Sequence, residues 1–191
     1  MKTLHPGLLA MTAAAALLAF AAPVAAQDSA GAPVTVGGAP MYPNRTIVEN
    51  AVNSADHTTL VAAVVAAGLA ETLSGPGPFT VFAPTDAGFA RLPAGTVSEL
   101  VKPENKATLT RILTYHVVAG RLSAADVVAA IQAGGGSAAL TTVSGDTLTA
   151  SIAGDAMIVT DENGGEARVT QADVFQSNGV IHVTDAVFLP N

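Results

Sequence analysis

Apolar and polar positions fall into two regimes along the chain, and the change comes near residue 137. From Asn44 to Gly136 the apolar residues mostly recur at three- and four-residue steps, the period of a helix face. Leu60, Val61, Val64, Val65 and Leu69 make one such stripe, and Ala62, Ala63, Ala66 and Ala67 fill the rest of each turn. A helix so apolar all round is expected to be largely buried. Asn44 or Thr46 precedes the first helical stretch and Asp56 the second, each offering a side-chain oxygen to the free N–H groups of a first turn. Leu109, Ile112 and Leu113 share a face of a later helix, for which Pro103 suits the first turn. Ser123 opens another, which ends in glycines 134–136. Phe79–Ala83 breaks the helical period as a short apolar strand. Pro84 stops it, and Thr85 or Asp86 is placed to cap a short helix carrying Phe89 and Leu92, a contribution of about 1 kcal/mol. Helix gives way to strand near Tyr115-His116-Val117-Val118. Strand alternation there sets Tyr115 and His116 on opposite faces, so one can be buried while the other is displayed; the structural reading, with fixed partners for both, comes first and a partner contact is its alternative.

From Ser137 onward, strands of four to six residues alternate with turn clusters at Ser144-Gly145-Asp146, Gly154-Asp155, Asn163-Gly164-Gly165 and Asn178-Gly179. Helices first and strands later predict an α+β fold, with residues 44–191 as one domain. In the last strand Val180, His182, Thr184 and Phe188 fall on one face and Ile181, Val183, Val187 and Leu189 on the other. Both faces are apolar, so the strand is expected to be covered on both sides. His182 must then satisfy its ring nitrogens locally, because an unpaired buried polar group costs ~1–3 kcal/mol. It is expected to be a structural histidine, and its alanine variant to lose stability. Asp185 interrupts the strand and is expected to mark a bend or to pair with a backbone donor, since a bare buried carboxylate is costly.

Composition narrows the chemistry. Half of the residues are hydrophobic but only 4% are aromatic, with no Trp, so Ala, Val, Leu and Ile must build the core. The formal net charge is -7 and no Lys/Arg run reverses it locally, which argues against a nucleic-acid partner. The absence of cysteine excludes disulfides, thiolate metal sites and a Cys nucleophile. His57, His116 and His182 contain no close-spaced pair, and neither a metal site nor a cofactor is expected. No G-x-S-x-G stretch is present. Gly134–Ser137 lacks the lysine of a phosphate loop, and Gly165 stands where a calcium loop needs a ligand. No catalytic residue is assigned and no enzymatic activity is expected.

The first 26 residues have the layout of a secretory signal peptide. Lys2 precedes an apolar run from Leu8 to Ala22, and Val24-Ala25-Ala26 leads to a cleavage point between Ala26 and Gln27. The run is too short for a membrane span, which takes about 20 apolar residues. A secreted or periplasmic protein with no membrane span in its mature form is expected. Residues 27–43 are rich in Gly, Pro and Ala and read as a flexible linker, with Val34-Thr35-Val36 the one stretch able to form a strand.

Three stretches, FTVFAPTDAGF (Phe79–Phe89), YHVV (Tyr115–Val118) and SNGVIHVTDAVFLP (Ser177–Pro190), together resemble the fasciclin domain family in residues, order and separation. The resemblance implies a cluster of helices packed on a compact β-sheet wedge. It also implies a non-enzymatic adhesion or binding module of the cell envelope or extracellular matrix, acting through protein or polysaccharide contacts. In animal relatives the region around the Tyr-His motif and an Asp-Ile pair take part in integrin binding. Tyr115 and His116 match the first, and Asp173-Val174 stands at the second. Those four residues are therefore candidate partner contacts, and Asp173→Ala is expected to leave the fold intact. The integrin itself is not carried over to a chain of bacterial appearance. Thr85, Asp86, Asn178, Gly179, His182 and Asp185 are expected to be structural. Some relatives bind carotenoids, so a carrier of an apolar small molecule such as a carotenoid is the alternative.

Overall fold

The computed structural model describes residues 33–191. The signal-peptide reading, its cleavage point at Ala26 and Gln27, and the first part of the expected linker lie outside the described residues. The rest of that linker is ordered. Val34–Val36 (β1) and Ala39–Met41 (β2) pair antiparallel as a hairpin. Val36 and Met41 are buried, and alternation along each three-residue strand sets these apolar side chains inward. Gly and Pro content pointed to a linker, but two inward apolar side chains suffice to dock a short hairpin.

Helices follow: α1 (Ile47–Ala51), α2 (Thr58–Ala67) and α3 (Ala70–Leu73). Strand β3 (Phe79–Pro84) leads to α4 (Asp86–Ala90) and α5 (Thr96–Leu100). A 3₁₀ turn (Pro103–Asn105) enters α6 (Lys106–Tyr115). Strand β4 (Val117–Ala119) and helix α7 (Ala124–Ala133) complete this half. The second half is β5 (Ser137–Thr141), β6 (Thr147–Ala153), β7 (Ala156–Thr160), β8 (Glu166–Gln176) and β9 (Gly179–Thr184). The fold is α+β.

Local chemistry sets several boundaries. Thr46 and Ser123 start α1 and α7 as capping boxes, closed by Glu49 and Asp126. Gly68 ends α2 in the left-handed conformation at φ 73°. Helix α2 is not the buried rod that its composition predicts. Leu60 and Val64 face the core, but Val65 is 63% exposed, so one apolar side meets solvent.

Seven strands form one sheet in the order β4-β3-β9-β8-β7-β6-β5. Only β3 and β9 run parallel; the other pairs are antiparallel. A bridge from Val118 to Thr142 brings the two ends of the sheet together, so it nearly closes. Alternation along β3 and β9 divides the interior. Val81, Ala83, Ile181 and Val183 join a core shared with α1, α2 and α6. Phe82 points the other way, into a second core with Tyr115, Val127, Leu148 and Phe188 that α7 covers. Burying each such side chain contributes roughly 1.5–3 kcal/mol. The central strands thus have both faces covered, which is what places His182 inside.

Candidate functional site

The three motif stretches converge on a row of four buried rings: His182, Phe82, Phe188 and His116. His182 lies 5.5 Å from Phe82 between ring centres, Phe82 lies edge-on to Phe188 at 6.1 Å, and Phe188 lies 5.0 Å from His116. Strand β9 supplies His182, β3 supplies Phe82, the tail beyond β9 supplies Phe188, and His116 follows α6. None of the four rings is more than 2% exposed.

Both histidines are held by main chain. Nε2–H of His182 donates to the Leu122 carbonyl at 2.8 Å, and its Nδ1 accepts the longer Asp173 N–H bond at 3.4 Å. His116 uses the opposite tautomer. Its Nδ1–H donates to the Ile112 carbonyl at 2.8 Å, and its Nε2 accepts the Phe188 N–H at 3.0 Å. A second ring proton would oppose a backbone donor in each case. Burial holds His182 below the ordinary imidazole range and takes His116 down to about 4, against the opposing pull of Ile112 and Asp161. The unfolded chain's histidine binds its proton near 6.5, so below that pH the unfolded state holds more protons and stability falls with pH. Between about pH 6.5 and 4, His116 alone removes roughly 3 kcal/mol, and His182 adds to the loss in the same direction. The urea midpoint is expected to drop steadily over that window; a flat profile would contradict neutral buried rings.

The loop that leads into α7 is clamped against the same strand. Thr80 Oγ1 donates to the Gly120 carbonyl at 2.7 Å and accepts the Leu122 N–H at 2.8 Å. Asp173 accepts the Ala124 N–H at 2.7 Å, serving a free donor of α7's first turn. Asp173 sits at φ 58°, among the β8 register shifts between Gln171 and Val174. Aspartate is one of the few residues that adopt this conformation without severe strain. Asp173→Ala is therefore expected to leave the domain folded but to cost about 1–2 kcal/mol, with Asp173→Asn milder; thermal melting distinguishes the two.

The expected partner contacts are mostly interior. Tyr115 ends α6 and His116 continues it with helical backbone angles, so both turn inward instead of alternating. The Tyr115 hydroxyl donates to the Thr147 carbonyl at 3.2 Å and accepts the Glu162 N–H at 3.0 Å. Val174 is 1% exposed. Of the four, Asp173 alone is half-buried.

Thr85 caps α4 by accepting the Gly88 N–H at 3.3 Å. Asp86 reaches across to α2, accepting Thr59 N–H at 2.8 Å, Thr58 N–H at 3.3 Å and the Thr58 hydroxyl at 2.6 Å. The cap of α2 thus comes from Asp86 and not from Asp56. Asp86→Ala is expected to cost about 1–2 kcal/mol, a fall in Tm of roughly 3–6 °C, while Asp56→Ala melts like the parent. Asp185 accepts the Arg168 N–H at 2.8 Å and pairs with Arg91 at 3.3 Å. Asn178 joins three elements: its Oδ1 accepts the Ile47 N–H at 3.0 Å, and its amide donates to the Leu73 and Gly75 carbonyls at 2.7 and 2.9 Å.

Sequence reasoning did not find Phe82 and Phe188 as ring partners, nor the buried pair formed by Asn50 and Gln176. These contacts join residues far apart in the chain, and no local pattern marks them. An apolar cavity of about 40 Å³ lies between α1, α2 and β3, bordered by Val48, Val61, Val65, Val81 and Val117. A neighbouring one of about 30 Å³ lies beneath the β1–β2 hairpin, bordered by Val36, Met41 and His57. Among the described residues no helix is long and apolar enough to cross a membrane, and no group of three or more His, Asp or Glu converges as a metal cluster.

Residues 55–190 match the model of the fasciclin domain. Protein sll1483 of Synechocystis is 50% identical over 149 residues, covering 76% of this chain and 73% of that protein. Immunogenic protein MPB70 of Mycobacterium bovis is 34% identical over 194 residues, covering 93% of this chain and 90% of the relative. Transforming growth factor-beta-induced protein ig-h3 of Sus scrofa is 33% identical over 134 residues, which are 70% of this chain but 18% of that protein. Among solved structures, a FAS1 domain pair from the insect cell adhesion molecule fasciclin I shares the fold at a TM-score of 0.68 and 20% identity, over 78% of this chain and 52% of that one. The motifs that build the ring row lie within the matched span, and the chain belongs to the fasciclin domain family.

Proposed function

We propose that this protein is a secreted binding module of the cell envelope or extracellular matrix, exported by cleavage between Ala26 and Gln27, that works through protein or polysaccharide contacts at its surface and not by catalysis. The observation that carries this reading is the state of the two motif histidines. Their ring nitrogens are committed to main-chain partners and shielded from solvent, so neither is placed to handle a substrate proton. Family membership supports it, since fasciclin I is itself a cell adhesion molecule. The test is saturable binding of the purified protein to envelope fractions and extracted polysaccharides of its host. Saturable retention that survives His182→Ala at temperatures where the variant stays folded is expected. Hydrolytic turnover in an esterase and glycosidase screen that disappears with His182 would contradict it.

A carrier of an apolar small molecule such as a carotenoid is the second reading. The apolar cavity between α1, α2 and β3 favours it. The cavity is small, about 40 Å³, and is bordered by Val61 and the exposed Val65 of α2, so it offers an apolar seat beside an exposed apolar helix side. Visible absorbance that copurifies from the native host in constant proportion to protein supports this reading. Colourless protein with no extractable lipid removes it.

A further inference from the structure

His57 stands apart from the other two described histidines. Its Nδ1 shares a hydrogen bond with Ser54 Oγ at 2.8 Å, and both residues are 3% exposed. Among the described residues its Nε2 is the buried side-chain polar atom with no hydrogen-bond partner. The Ala83 carbonyl is near enough to favour protonation but makes no hydrogen bond of ordinary geometry. Leaving such a nitrogen unpaired is unfavourable, and a positive ring there is more so.

The cover over this pair is the β1–β2 hairpin. Gly37 lies so close above Ser54 that a Cβ would fall 2.3 Å from its Oγ. Val36 and Met41 border the cavity that His57 also borders. The hairpin's polar attachments are few: Ala55 N–H to the Gly37 carbonyl at 3.1 Å, Gln171 to the Thr35 carbonyl at 3.2 Å, and, just beyond β2, Tyr42 N–H to Asn50 Oδ1 at 2.9 Å with the Asn50 amide donating back to the Tyr42 carbonyl at 2.8 Å. A central strand, by contrast, is hydrogen-bonded along both sides.

We propose that the β1–β2 hairpin is an acid-released strap, seated over His57 while the ring is neutral and let go when the ring is protonated. On protonation, Nδ1–H donates to Ser54 Oγ. The new Nε2–H has no well-placed acceptor in the closed state, and water reaches it once the hairpin lifts. The charged groups that face the ring are Asp56, just before α2, and Asp86, at the start of α4; both favour the cation where it sits and so oppose release. The cavity walls from β1, β2, α1, α2, β3, β8 and β9 are apolar. Burial outweighs the Ala83 carbonyl and both carboxylates and holds His57 below its ordinary range, so release falls on the acid side of neutrality. Lifting the hairpin uncovers Ile47, Leu60, Val81 and Ile181, a ready apolar contact surface in acid. This device stands independently of the binding role proposed above.

Amide hydrogen exchange on the full chain tests it, with rates corrected for intrinsic pH dependence and β9 as internal reference. Between pH 7 and pH 5 the protection of residues 34–41 is expected to fall about tenfold or more relative to β9, and not to fall in His57→Gln. Equal protection of hairpin and β9 across that range would overturn the proposal, as would an unchanged fall in the variant. Should His57→Gln fail to fold, ¹⁵N titration of the wild-type ring decides. Release must track protonation of His57, and release while that ring is still neutral overturns the strap.

Discussion

Gly179→Ala is expected to be among the most damaging methyl groups that can be added to this domain, destabilising it by about 3 kcal/mol or more. Gly179 pairs with Phe79 in the only parallel register of the sheet. A Cβ there would lie 2.1 Å from the Phe79 carbonyl oxygen and 2.9 Å from Ile47 Cδ1. The isoleucine tip can rotate away. The carbonyl cannot move without shifting β3, which carries Phe82 and pairs with both β4 and β9. Asn178 beside it fixes α1 and the end of α3 to the same point, so the strain cannot relax by tilting the turn. Gly179 is needed for space, not for backbone conformation: its φ is not positive. Urea denaturation measures the effect, and an alanine variant as stable as the parent would show that β3 and β9 are not packed this closely.

His182→Ala is expected to cost a similar amount, roughly 3 kcal/mol, and to lower Tm by about 6–12 °C. The change empties a fully buried site and removes the ring against Phe82. It also removes the ring partner of the Leu122 carbonyl and the Asp173 N–H, both part-buried backbone groups. Those two lost bonds loosen the entry to α7, so increased hydrogen exchange is expected first in residues 120–126. A variant that melts like the parent yet no longer binds its envelope target would make His182 a contact residue instead.

Periodicity made a good part of this fold legible. The helical half, the later strands, the capping roles of Thr46, Thr85 and Ser123, and the two covered faces of β9 all follow from local spacing and side-chain chemistry. What stayed hidden was long-range. Asp86 caps a helix that begins 28 residues earlier, and Asn178 serves main-chain groups more than 100 residues away. No local signal encodes either. The structural reading of Tyr115 and His116 agrees with their burial, but their strand alternation does not hold. The helix persists one residue further than the apolar run implies, and that single step turns a displayed side chain inward. The hairpin at residues 34–41 was masked by its Gly and Pro content, which describes a turn and a linker equally well.

The titration of the motif histidines tests most directly whether these rings are interior scaffolding. In ¹⁵N spectra, His116 is expected to show the Nδ1–H tautomer and to hold it down to about pH 4. His182 is expected to show the Nε2–H tautomer with its transition below that of a free imidazole. Ordinary titration near pH 6.5, or the same averaged tautomer for both rings, would place them in contact with solvent and contradict the buried, main-chain-held site.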